Sequence, residues 1–217
     1  MNNGILTLAL EKGLSGEGLN PAEALRLAAI PEEAIYELLA VSEQVRRRHL
    51  GVEVNLCSIV NAKSGLCKED CSFCAQSVKY STGVTEYQMS EPGKIVGAAI
   101  EAAAFGAREF SIVTSGTAIE KERDIAALTS ALASMKESVE MERCASLGIL
   151  SKETLKKLKD SGLESYHHNL ETGRSFFPNI CTTHEYDRDV EVVRTAKELG
   201  FHVCSGGIFG LGEGWDV

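Results

Sequence analysis

From residue 52 onward the sequence alternates between two kinds of segment, and that alternation limits the folds open to it. Short apolar runs rich in Val, Ile and Cys occur at 52–60 (VEVNLCSIV), 109–115 (EFSIVTS), 140–148 (EMERCASLG), 163–170 (LESYHHNL) and 201–209 (FHVCSGGIF). Helical patterns separate them at 91–106, 121–136, 151–162 and 185–200. Ser151 stands where an N-cap belongs, and Gly106, Gly162 and Gly200 stand where helices should end. Strand, helix, strand in this order predicts an α/β fold with parallel strands and right-handed crossovers. A closed eight-unit barrel takes about 250 residues. Here five strands are predicted and no helix follows the fifth before GLGEGWDV at 210–217. The expected architecture is a TIM-type (β/α) barrel cut short, with about its first five strands present. An open doubly wound sheet is the competing arrangement. A barrel ending here is expected to expose strand edges, with low solubility or dependence on a second chain.

Ahead of the alternation, residues 20–51 are helical in pattern. Asn20 precedes Pro21 as an N-cap, and Pro31 opens a second helix with Glu32 and Glu33 in its first turn. The expected organisation is therefore an N-terminal helical extension over 1–50 and the partial barrel over 51–217. A net charge of −9 argues against a nucleic-acid partner or an anionic membrane surface. The most apolar long stretch, 95–107, carries Glu101 and falls short of the roughly 20 residues of a membrane span. The N-terminal MNNGILTLALEKG lacks a basic region and a long enough apolar run for a secretory signal. A cytoplasmic protein is expected. Seven cysteines in a reducing compartment point to metal or redox chemistry rather than disulfides.

Three of those cysteines, Cys67, Cys71 and Cys74, fall within GLCKEDCSFCAQS at 65–77, in the long connection after the first strand. Structural zinc sites close with four ligands. Three thiolates on a four-iron cluster would instead leave one iron open to chemistry. The loop follows a strand, at the end of a barrel where active sites lie. Spacing alone leaves open a zinc or redox site completed by a ligand from elsewhere.

The CxxxCxxC spacing with Phe73 before the last cysteine resembles the radical S-adenosylmethionine enzymes. With YHHNLET at 166–172 and VCSGGIFGLGE at 203–213, the stretch from residue 50 on is similar to the biotin synthase family. That resemblance implies a [4Fe–4S] cluster on Cys67, Cys71 and Cys74 whose open iron chelates S-adenosylmethionine. An electron from the cluster then yields a 5′-deoxyadenosyl radical. It implies sulfur insertion into dethiobiotin, the last step of biotin formation, with sulfur from an auxiliary iron–sulfur cluster of [2Fe–2S] or variant type. It further implies a flavodoxin- or ferredoxin-type electron donor and a homodimer. Phe73 would lie near the adenine. Asn169 and Glu171 match positions that contact ribose and substrate, where the family often has Asp in place of Glu171. The family often has Asn where His167 stands, so His167 would lie near the substrate's ureido group, and Gly206, Gly207 and Ile208 through Glu213 match the strand end that the cofactor approaches.

The auxiliary ligands depart from the family pattern. Cys144 and Cys204 fit it, but the cysteine expected on the second strand is Ser111, a poor ligand for such iron. The family's arginine ligand lies on a later strand, beyond residue 217. Cys181 is an extra thiol, either the replacement ligand or a small buried or loop residue. Cys57 is expected in the core and His168 in packing by strand alternation. His184 either supports the cofactor carboxylate or caps a helix. Two alternatives remain: another radical S-adenosylmethionine enzyme, or a non-catalytic iron–sulfur or zinc-binding fragment.

Overall fold

The computed structural model describes residues 3–215 and 217. They form two compact units, one through Val54 and one from Asn55 onward. In the first, α1 (Asn3–Ser15), α2 (Pro21–Ala28) and α3 (Ile35–Leu50) are joined by short turns, one of them a 3₁₀ turn at Glu32–Ala34. Asn20 caps α2 in a full capping box: Glu23 N–H donates to its Oδ1 and its own N–H donates to Glu23 Oε2, both at 2.9 Å. Helix α1 approaches α3 closely because Gly13 lacks a side chain; a Cβ there would stand 2.5 Å from Val45 Cγ2. The apolar residues Ile5, Leu6 and Ala9 of α1 are buried.

The second unit runs β1 (Cys57–Lys63), α4 (Pro92–Ala104), β2 (Glu109–Thr114), α5 (Glu122–Ser138), β3 (Glu142–Ser146), α6 (Lys152–Asp160), β4 (Ser165–His167), α7 (Tyr186–Glu198) and β5 (His202–Cys204). All strands are parallel and lie in the order β1-β2-β3-β4-β5. Each crossover steps the same way, so the helices cover one face. A doubly wound sheet reverses its strand order part-way, and this one does not. The architecture is a partial α/β barrel. The helix ends follow their sequence signals. Ser151 Oγ accepts the Thr154 N–H at 3.2 Å, and Gly106, Gly162 and Gly200 take positive φ just past α4, α6 and α7. Among the described residues no helix is long and apolar enough to cross a membrane.

The two faces of the sheet differ in kind. Phe110, Ile112, Ala145 and Tyr166 point outward and are sealed by Ile95, Ala99, Leu128, Leu132, Met135, Leu155 and Leu158 from the helices. Burying each large aliphatic side chain contributes about 1.5–3 kcal/mol, so this face holds the sheet. Alternation sends the other set inward. Register places Ile59, Ser111, Cys144, Ser165 and His202 side by side across the five strands. Cys57 and Ile59 belong to this inner set and are exposed. The core position expected for Cys57 is therefore corrected: it lies on the uncovered face of an edge strand. The first strand begins at Cys57 rather than at residue 52.

Candidate active site at the carboxyl ends of the strands

Strand β1 leads into the three-cysteine loop through a left-handed turn at Gly65 (φ 69°) and Leu66 (φ 61°). The loop closes on itself. Cys67 N–H donates to Gln76 O at 3.1 Å, Val78 N–H to Cys67 O at 2.8 Å and Cys74 N–H to Cys71 O at 3.0 Å. It also docks onto residues 180–184. Ser72 N–H donates to Ile180 O at 2.9 Å, Asp70 N–H to Thr183 Oγ1 at 3.1 Å and Thr182 N–H to Asp70 Oδ1 at 2.8 Å. The Thr182 donors hold the Asp70 carboxyl far below its ordinary range. Beneath this clamp Cys71 and Phe73 pack on a small apolar cluster of Phe177, Ile180 and Cys181.

The loop forms one wall of a cavity of about 360 Å³ at the carboxyl ends of the strands. Cys67, Cys71 and Cys74 line it together with Phe73, His167, Asn169, Glu171 and Cys181. Burial raises the Cys67 and Cys71 thiols above the ordinary thiol range, and for Cys71 the adjoining Cys181 adds to it. A metal bound here would displace those protons, so binding would be pH-dependent.

Glu171 sits opposite the loop. It is held at φ 63°, in the left-handed region that a non-glycine residue rarely occupies. Burial pushes its carboxyl upward, opposed by the Asn169 side chain. Its Oε2 is buried with no hydrogen-bond partner, an arrangement that calls for a ligand donor. The strand ends meet here backbone to backbone. Ile208 N–H donates to Glu171 O at 2.7 Å, and a Cβ on Gly207 would fall 2.6 Å from that same oxygen. Gly206, Gly207, Ile208 and Glu213 line an adjoining recess of about 680 Å³ that also includes Glu171. The residues assigned to cofactor binding thus fall in two recesses that meet at Glu171.

Ser111, Cys144 and Cys204 lie on the inward face and line neither recess. Ser111 is the register partner of Cys144, and Cys204 is the partner of His167. Burial pushes the Cys144 thiol up to about 11, moderated by a hydrogen bond with Ser111. Cys181 does not join them. Its Sγ lies 3.7 Å from Cys71 Sγ and 3.3 Å from His184 Nδ1, so the idea that it replaces the thiol missing at Ser111 is corrected by geometry. The chain between β4 and α7 carries it to the mouth of the sheet, onto the three-cysteine loop.

The sequence reading missed a polar cluster around this thiol. His184 Nδ1 lies 2.8 Å from Glu69 Oε2, and its Nε2 lies 3.2 Å from Asp189 Oδ2. Asp189, and then Glu69, hold the His184 imidazole protonated up to about 9. His168 Nε2 reaches Asp189 Oδ1 at 2.8 Å and lines the cavity rather than packing on the outer face, because β4 ends at His167 and strand alternation stops with it. The CTTH spacing at 181–184 was the available signal.

The model of the Radical SAM superfamily matches residues 63–216. The chain belongs to the radical SAM superfamily. Among curated members, it is 46% identical over 200 residues to the biotin synthase of Geotalea uraniireducens (strain Rf4), covering 92% of this chain and 61% of that protein. It is 47% identical over 206 residues to the biotin synthase of Pelotomaculum thermopropionicum, covering 95% and 64%. The chain therefore spans roughly three fifths of the length of these relatives. Its fold is shared with the crystal structure of methylornithine synthase, at a TM-score of 0.83 and 19% identity over 96% of this chain and 61% of that one. It is also shared with the FeFe-hydrogenase maturase HydG from Carboxydothermus hydrogenoformans, at 0.78 and 18%, over 99% and 56%.

Proposed function

We propose that this radical SAM chain carries chemistry of the biotin synthase type, the insertion of sulfur into dethiobiotin. The observation that carries the reading is the single cavity lined both by the three loop cysteines and by Glu171, whose Oε2 is buried without a hydrogen-bond partner. Three cysteines suit a [4Fe–4S] cluster with one iron left for S-adenosylmethionine. When bound, these groups supply radical chemistry able to remove hydrogen from unactivated carbon.

The chain's own part is to hold, orient and shield. Cys67, Cys71 and Cys74 would hold the cluster, and the Asp70–Thr182 and Ser72–Ile180 contacts fix the loop that carries them. Asn169 and Glu171 would accept hydroxyl donors from the ribose. Gly206 and Gly207, with Ile208 and Glu213, would let the cofactor lie against backbone, and Phe73 would cover the adenine. Phe177 and Ile180 exclude water from the loop's inner side. His167 would face the substrate. Cys144 and Cys204, with Ser111 between β1 and β3, would line the auxiliary cluster's position. Residues 51–217 are the catalytic part in this reading, and 1–50 its N-terminal extension. A cytoplasmic homodimer supplied by a flavodoxin- or ferredoxin-type donor completes the proposal.

The test is iron and sulfide content with an electron paramagnetic resonance spectrum, on protein reconstituted without oxygen. Four irons per cluster and a reduced-cluster signal that changes on adding S-adenosylmethionine are expected. A zinc-only protein with no response to S-adenosylmethionine contradicts the reading. Titrating that spectral change should show Glu171→Gln binding S-adenosylmethionine about 10- to 100-fold more weakly, the range for losing a charged hydrogen-bond acceptor.

The ligand set on the inner face has its own test. Ser111 and Cys144 already face each other across β2 and β3. Ser111→Cys should therefore raise iron and sulfide per chain above the parent's, with new absorption in the visible range. Iron that stays at about four per chain, the content of a single cluster, would mean that the inner lane holds no second cluster.

A further inference from the structure

Close to the three-cysteine loop lies a second donor set of different chemistry. Glu69 Oε2, Cys181 Sγ and His184 Nδ1 all fall within 4.8 Å of one another. Cys181 is buried, and the side chains of Glu69 and His184 are only 12% and 9% exposed. The geometry points to a mononuclear zinc(II) site formed by Glu69, Cys181 and His184, next to the cluster loop, with Cys181 Sγ 3.7 Å from Cys71 Sγ.

Three features build the site. The CTTH turn puts a thiol and an imidazole three residues apart on one side, 3.3 Å from each other. Glu69 reaches them from the other segment, 2.8 Å from His184 Nδ1. Tetrahedral zinc has edges of about 3.5 Å between sulfur and nitrogen and about 3.3 Å between nitrogen and oxygen. The sulfur–nitrogen and nitrogen–oxygen edges need to open by about half an ångström or less to accept it, and the sulfur–oxygen pair lies within 4.8 Å. The outer supports are also present. Asp189 Oδ2 lies 3.2 Å from His184 Nε2, so it can take that N–H and leave the Nδ1 lone pair for a metal. Asp189 is itself held by His168 at 2.8 Å. Thr117 and Thr183 hydroxyls donate to the Glu69 carboxylate and orient it.

A mixed sulfur, nitrogen and oxygen set selects zinc or a similar transition metal over magnesium or calcium. Three protein ligands leave a fourth position for water or a further donor. Glu69 belongs to the cysteine loop and Cys181 and His184 to the segment before α7. Bound zinc would therefore staple the two, adding to the Asp70 and Ser72 contacts already described.

The experiment uses the full chain with Cys67, Cys71 and Cys74 all changed to serine, so that the loop thiols cannot hold metal. Zinc content after equilibration and removal of free metal is measured, and cobalt(II) serves as the spectroscopic probe. The expected result is one zinc per chain, and a thiolate-to-cobalt charge-transfer band on cobalt loading. In the same background Cys181→Ser and His184→Ala should abolish both, and Asp189→Asn should weaken zinc binding about 10- to 100-fold. The parent chain, loaded with iron and sulfide, should keep its zinc. Absence of zinc and of the cobalt band from the triple-serine chain overturns the site, whatever the fate of the other variants. So does zinc that survives Cys181→Ser and His184→Ala, or zinc that leaves the parent chain when iron and sulfide are loaded.

Discussion

Changing Cys71 to serine is expected to remove the loop's iron–sulfur cluster and, with it, all cleavage of S-adenosylmethionine above background. The residue is held from several sides. Its thiol is pushed up chiefly by burial, its carbonyl accepts the Cys74 N–H, and its side chain packs on Phe177 and Ile180. Serine fits that space but is a far poorer ligand for soft iron. Two remaining thiolates would have to hold four irons. The loop itself should survive, because the contacts that dock it run through Asp70, Ser72 and the backbone. The thermal midpoint should therefore move little while iron content collapses. Cys181 Sγ stands 3.7 Å away, close enough to step in, so the decisive protein is Cys71→Ser combined with Cys181→Ser. A full complement of cluster iron in that double variant would contradict the assignment of the loop.

The second large effect concerns stability. Gly148 follows β3 at φ 81°, and a Cβ there would stand 2.1 Å from Thr117 O and 2.7 Å from Thr117 C. Both neighbours are backbone, so no side chain can rotate away. Gly148→Ala combines a left-handed penalty of about 1–2 kcal/mol with an overpacking penalty of about 1–3 kcal/mol. A loss of about 2–5 kcal/mol in chemical denaturation is expected. The displacement would also reach the site. Ile149 N–H donates to Thr117 O at 2.7 Å, Tyr166 donates its hydroxyl proton to Gly148 O, and Thr117 donates to Glu69. An unchanged denaturation midpoint would show that the β2–α5 turn yields more readily than its contacts indicate.

Much of this arrangement was legible because its determinants are local. The strand and helix alternation set the parallel order, and the helix ends fell at Gly106, Gly162 and Gly200 because glycine alone tolerates positive φ cheaply there. The three-cysteine loop could be read from spacing. What escaped was set by contacts distant in sequence. Asp70 meets Thr182, and Glu69 meets His184, across more than a hundred residues. No periodicity encodes such a meeting. Cys57 was misjudged because alternation gives two faces but does not say which one helices will cover. His168 was misjudged because the three-residue β4 ends before it. Cys181 was assigned by what the family pattern lacked, whereas its position follows from the chain that returns from β4 to the mouth.

Glu171 holds two demands that pull against each other. A glycine in its place would relieve the left-handed backbone, and an asparagine would ease it. Either would remove the carboxylate with its buried, unpartnered oxygen. Selection for a sturdier fold and selection for ligand binding therefore favour different residues at this one position. Thermostable variants gathered by screening for heat resistance alone should accumulate changes here, and they would arrive as well-folded chains with a blunted site.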